Sequence, residues 1–238
     1  MNNGSEATLE LNLYLQCLFW AAAILLSFIK SLSVTTMTTY IPSLTIPSGI
    51  LLNPATSILL PVALGTAVGF SSRPRENQKN YMALKQPPCR PPPEIFGPLW
   101  TLFYGLMGYG AFRACNAGLS TLRSPNVIQA TKHGATLYTI QLGLNLLWMP
   151  LFFVAKRPIE ATVDILALTG TVGYMTYLWG KVDAVAGWCM VPYLGWLCYA
   201  SYLSTAVGYL NNWDLSDKTV DSPPSSKPGH TKFVDEKP

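Results

Sequence analysis

The chain has 238 residues, half of them hydrophobic and only 12% charged, with a formal net charge of +4. A soluble domain typically carries about 25% charge, and the mean hydropathy of +0.26 is high for one. There is no basic stripe interleaved with aromatics, so nucleic acid is not an expected partner; five cysteines without a CxxC pair and two histidines leave no expectation of a metal site.

The chain opens on an extension, residues 1–48, whose stretch Leu11–Ile29 is uncharged. The preceding residues hold Glu6 and Glu10 and no base, unlike a secretory signal or a mitochondrial presequence. It reads either as an extra N-terminal helix or as sequence absent from a mature chain that starts at Met37.

Five longer segments follow. Gly49–Ser72, Ile95–Phe112, Gly134–Val154 and Ala184–Trp213 lack any charge, and Ile165–Gly180 does so too, with Glu160 and Asp164 just before it. A bilayer crossing takes roughly 20 mostly apolar residues. None of the segments alternates with period two, so each reads as a helix, which satisfies its own backbone in lipid. Helices are expected over about 51–71, 94–114, 126–154, 159–180 and 184–211, making a membrane domain over 49–213. The remainder, 214–238, is polar and rich in Ser and Pro and reads as a disordered tail.

Loop charge sets the expected orientation. The first and third loops hold Arg73, Arg75, Lys79, Lys85, Arg90, Lys156 and Arg157, against Arg113, Arg123, Lys132 and Lys181 opposite, so the first loop and the tail are expected in the cytosol. In that first loop RPPPEIFGPLW (Arg90–Trp100) leads into the second helix. Its prolines stiffen the approach, Glu94 suits a helix N-terminus, and Pro98, one turn inside, is expected to kink the helix.

Seven tryptophans dominate the chemistry. Trp179, Trp188 and Trp213 stand near helix ends and read as interface anchors. Trp100, Trp148 and Trp196 lie deeper, and Tyr104 extends the face of Trp100. Gln141, Asn145 and Trp148 fall on one helix face. Such a stripe is either glue between membrane helices or the wall of a small-molecule pocket. Asp164 within a membrane helix is a functional candidate, unless it pairs with Lys156 or Arg157 at the interface. Glu160, nearer the turn, reads as interfacial. Gly65 and Gly69 form a GxxxG, read as close helix contact within the chain rather than the alternative, a dimer contact. No HExxH, GxSxG or Walker-type loop appears, so no catalytic residue is assigned.

GTAVGF, YMALKQPPCRPPPEIFGPLWTLFYGLMGYG, QLGLNLLWMPLFF, VDILAL and VPYLGWLCYASYL, in order over about residues 58–213, resemble the TspO/MBR family of translocator and tryptophan-rich sensory proteins, in wording like its fungal members. The resemblance implies an all-α integral membrane protein, a five-helix bundle that is usually a homodimer. It implies a pocket under a lid formed by the first loop, binding porphyrin or haem as ligand rather than as cofactor. The implied function is tetrapyrrole handling, transport or stress response without enzyme activity. Sterol or lipid transport, and light-dependent porphyrin degradation, are the alternatives that the family offers. The implied location is the mitochondrial outer membrane, with the secretory pathway as the alternative.

Carried over by motif, the pocket falls on Trp100, Tyr104, Asn145, Trp148, Trp196 and Ala200, with Asp164 as a family carboxylate and Gly69 as a small residue ending the first helix. The chain departs from the usual pattern at Glu94, Met149, Glu160 and Ser204, and after Tyr209 the first base is Lys218. These departures bear against drug and sterol binding more than against porphyrin binding.

Overall fold

The computed structural model describes residues 40–71, 84–87, 91 and 93–215. The stretch Leu11–Ile29, most of the first loop and residues 216–238 of the polar tail lie outside the described residues; Leu215, expected in the disordered tail, is buried against apolar neighbours instead. Five long helices carry the chain: α1 (Pro54–Ser71), α2 (Phe96–Gly118), α3 (Pro125–Met149), α4 (Pro158–Val182) and α5 (Ala184–Leu210). No strand occurs among the described residues. At 18 to 27 residues each, these helices are about 27–40 Å long at ~1.5 Å per residue, enough to cross a hydrocarbon core. Pro54–Ser71 and Pro125–Val154 are also apolar enough to do so by composition alone.

Proline sets three of the starts. Pro54, Pro125 and Pro158 each open their helix, where the ring's fixed φ fits and its missing N–H costs nothing. The second helix begins later than the sequence implied. Pro93–Ile95 forms a 3-10 turn and α2 starts at Phe96. Pro98 is therefore the third residue of α2, among the N–H groups that no helix satisfies, and breaks no hydrogen bond there. The kink expected at Pro98 is thus corrected: the proline sits in the first turn, not one turn inside.

The third helix ends differently too. At Pro150 the α-helix gives way to a π-turn, Pro150–Val154, closed by the Ala155 N–H donating to Pro150 O at 2.8 Å. Proline cannot continue the α ladder, and the wider turn absorbs it.

Short connections make neighbours antiparallel: residues 155–157 join α3 to α4, and Asp183 alone joins α4 to α5. Around the bundle α1 packs on α2, α2 on α5, α5 on α4 and α4 on α3, while α3 closes back on α2 and α1. In lipid the apolar effect does not drive helices together, so close backbone approach and hydrogen bonds must. Gly108 supplies one such approach: a side chain there would run into the α1 backbone at Ser57 and Ile58, and the Ser57 hydroxyl donates to Gly108 O at 2.8 Å. At the far end Arg113 of α2 pairs with Asp183 at 2.7 Å, and Asp183 also caps α5 by accepting from the Ala186 N–H at 3.0 Å. The segment before α1 lies along α3, with the Ile46 N–H donating to Thr139 Oγ1 at 3.0 Å and the Thr45 and Thr136 hydroxyls 2.7 Å apart.

Two of the three expected interface tryptophans are on the surface or partly so. Trp188 is 72% exposed and Trp213 is intermediate. Trp179 is corrected: it is fully buried, its ring 5.6 Å from that of Tyr138 on α3. Proximity to a helix end fixes depth, not the face. Trp179 faces α3, where Gly134 leaves the slot that the indole fills.

Candidate functional site

Toward the end of the bundle where the first loop lies, residues from α2, α3 and α5 converge. Trp100 sits 5.6 Å from Tyr104 and 6.2 Å from Tyr193 of α5, ring centre to ring centre. Phe103 bridges Tyr193 at 5.8 Å and Trp196 at 5.9 Å. Phe96 meets Trp196 edge-on at 5.6 Å. Trp148 stacks on Phe152 of the π-turn at 5.0 Å. Trp100, Tyr104, Trp148, Trp196 and Ala200 are all partly buried against one apolar core. These are flat faces meeting at offset and edge-on angles, the arrangement that aromatic quadrupoles favour.

A chain of hydrogen bonds runs beneath them. The Tyr104 hydroxyl donates to Asn145 Oδ1 at 2.7 Å, and Asn145 Nδ2 donates to the Tyr193 hydroxyl at 2.9 Å. Tyr193 in turn donates to Gln141 Oε1 at 3.3 Å, and Gln141 Nε2 ends on Met107 Sδ at 3.6 Å. The chain links α2, α3 and α5, and every donor points the same way along it, so each bond polarises the next. The polar half of the Gln141–Asn145–Trp148 stripe is therefore cross-helix bonding. The tyrosine ring it holds lies over Gly65 of α1, where a side chain would collide with it. Gly65 thus serves contact within the chain, whereas Gly69 meets nothing within 4 Å among the described residues.

Trp148 and Trp196 differ from this satisfied layer. Each indole Nε1 is buried and has no hydrogen-bond partner, and so has Asp164 Oδ2. Asp164 is 7% exposed. It does not form the interfacial pair allowed by the sequence: Arg157 instead reaches Glu160 at 3.3 Å, both well exposed, and Glu160 is interfacial as read. Ser204, another departure, is engaged with Thr162 of α4, their hydroxyls 3.2 Å apart.

The sequence reading missed Tyr193, which is wholly buried and joins the hydrogen-bond chain to the aromatic wall. Its signal was available, since Tyr193 precedes Trp196 by three residues and shares its helix face. Phe103 likewise shares a face with Trp100. The arrangement offers flat apolar walls, two unused N–H donors and one unused carboxylate oxygen. That suits a flat ring system carrying acceptors and donors at separate points, the usual make-up of a small-molecule site.

Residues 57–210 match the model of the TspO/MBR family. Over 154 residues the chain is 41% identical to the translocator protein homolog of Schizosaccharomyces pombe, covering 64% of this chain and 88% of that one. It is 33% identical to the human translocator protein, covering 65% and 88%, and 36% identical to the tryptophan-rich protein TspO of Archaeoglobus fulgidus, covering 65% and 94%.

Proposed function

The chain belongs to the TspO/MBR family of membrane proteins, and from that premise we propose that it binds porphyrin- or haem-type tetrapyrroles inside its helix bundle, in tetrapyrrole handling, transport or stress response. Three buried indole N–H groups lack partners among the described residues, and the observation that carries this reading is that two of them, Trp148 Nε1 and Trp196 Nε1, are set among the aromatic walls, whereas the third, Trp179 Nε1, lies in the slot at Gly134. A buried donor left unmade costs about 1–3 kcal/mol. A bound ligand that brings an acceptor offsets that cost. A porphyrin offers its flat ring to the aromatic faces and its propionates to the indole donors. The proposed location is the mitochondrial outer membrane, and no catalytic step is proposed.

Protoporphyrin IX titrated in the dark into protein in lipid nanodiscs tests this, with tryptophan quenching as the readout and cholesterol as competitor. Saturable quenching, weakened in Trp148→Phe and Trp196→Phe and unmoved by cholesterol, is the expected result. Displacement by cholesterol would favour a sterol pocket, and quenching that never saturates would mean partition into lipid.

A further inference from the structure

Beside the aromatic site lies a second apolar cluster. It joins Leu84 of the first loop to Phe152, Ala161, Val207 and Leu215, and Trp148 packs against it as well as against the main core. Leu84 and Pro87 are buried, whereas Lys85 between them is exposed. One side chain grips this piece of loop by its backbone. Asn211, just past the end of α5, accepts from the Lys85 N–H at 3.1 Å and donates from Nδ2 to Lys85 O at 3.0 Å. The same Nδ2 donates to Val207 O at 2.8 Å, and Asn211 is 2% exposed.

One carboxamide thus satisfies both backbone groups of one loop residue, as a neighbouring strand would. Among uncharged side chains of this length only Asn sets a donor and an acceptor side by side. An aspartate could accept from Lys85 but donate to nothing. A serine could bond Val207 O, as Thr205 bonds Ser201 O at 2.8 Å, yet could not reach the loop.

We propose that Asn211 is a latch that holds the loop segment Leu84–Pro87 against the apolar cluster on which Trp148 also packs and so sets how fast a flat ligand enters and leaves the bundle. The proposal rests on the pocket reading above and adds its regulation. Asn211 bonds Lys85 and Val207, neither of them a wall residue, and Trp148, the wall residue that borders the loop's cluster, is held from within the bundle by its stacking on Phe152. Two neutral hydrogen bonds at about 1 kcal/mol each correspond to roughly a tenfold or greater rise in the open population. Association and dissociation rates then rise together, and the dissociation constant stays put.

The test uses the full chain in nanodiscs as native protein, Asn211→Ser and Asn211→Asp. The ligand-free readout is the rate of tryptic cleavage after Lys85; the ligand readout is stopped-flow quenching by protoporphyrin IX. The latch predicts about tenfold faster cleavage in Asn211→Ser, which loses both bonds to Lys85, and a smaller rise in Asn211→Asp, which keeps the bond from the Lys85 N–H. In Asn211→Ser it also predicts both porphyrin rates up by about tenfold, with Kd within about twofold of native. Asn211→Ser separates this from mere capping of α5, because it keeps the bond to Val207 O and would behave as native if capping were the whole role. Native cleavage and exchange rates in both variants would overturn the latch. If porphyrin fails to saturate even the native protein, the pocket reading falls, and the cleavage rates still decide whether Asn211 holds the loop.

Discussion

Replacing Asn145 with leucine, which has nearly its shape, removes the central link of the hydrogen-bond chain and adds no cavity. The Tyr104 hydroxyl loses its acceptor at 2.7 Å and is left as an unmade donor, at about 1–3 kcal/mol. Tyr193 loses the bond from Asn145 Nδ2 at 2.9 Å but keeps Gln141, which adds about 0.5–1 kcal/mol. Asn145→Leu is therefore expected to destabilise by about 2–3 kcal/mol and Tyr104→Phe by about 1 kcal/mol. In the double variant the orphaned hydroxyl is gone, so the two losses do not add. The coupling should be about 0.6–1.7 kcal/mol, between the average and the maximum measured for polar contacts between membrane helices. The assay is denaturant unfolding in mixed micelles followed by tryptophan fluorescence. Additivity within about 0.3 kcal/mol would refute the claim that this bond holds Tyr104 in place.

Other expectations follow from single contacts. Gly108→Ala drives a methyl into the α1 backbone and should cost about 1–3 kcal/mol, whereas Gly105→Ala meets nothing within 4 Å and should gain up to about 1 kcal/mol of helix propensity; thermal melting in detergent separates them. Asp183→Ala loses both an ion pair and a helix cap, so it should exceed Arg113→Ala by about 1 kcal/mol, and only the part shared by the two variants should shrink with salt. Trp196→Phe removes an indole N–H that has no partner, so it should leave unfolding within about 1 kcal/mol of native while weakening protoporphyrin IX binding about tenfold, a loss of ~1.4 kcal/mol. Parallel loss of stability and binding would return that indole to a structural role.

The membrane helices were legible because lipid imposes one demand on every segment: about 20 residues without charge. Pro54, Pro125 and Pro158 open three of the helices, a signal that the reading of helices from about 51, 126 and 159 did not use. Pro98 misled, because the 3-10 turn at Pro93–Ile95 shifts the helix start by two residues, and no local pattern separates a 3-10 turn from a first α-turn. Pro150 forecast an end to the α ladder, but not that a π-turn would carry the chain on to Val154. Trp179 was misplaced because rotation about the axis comes from neighbours such as Gly134. Within the site, Trp100, Trp148, Trp196 and Asn145 stood out by residue type at depth. Tyr193 did not, although its place three residues before Trp196 puts both on one helix face; as one of twelve tyrosines it is set apart by the Asn145 bond. Asn211 was invisible, since its partner Lys85 lies 126 positions away in a loop whose path no periodicity describes.

The central claim is that the bundle holds a tetrapyrrole in one fixed orientation. Circular dichroism in the Soret band tests it directly, because free or lipid-dissolved protoporphyrin IX is achiral and gains a signal only when an asymmetric site orders it. The account predicts an induced Soret band that saturates at about one porphyrin per chain, as one bundle offers one such site, and that vanishes in the Trp148→Ala, Trp196→Ala double variant. A porphyrin that associates with the nanodiscs yet shows no induced band, or a band that the double variant leaves intact, would contradict it.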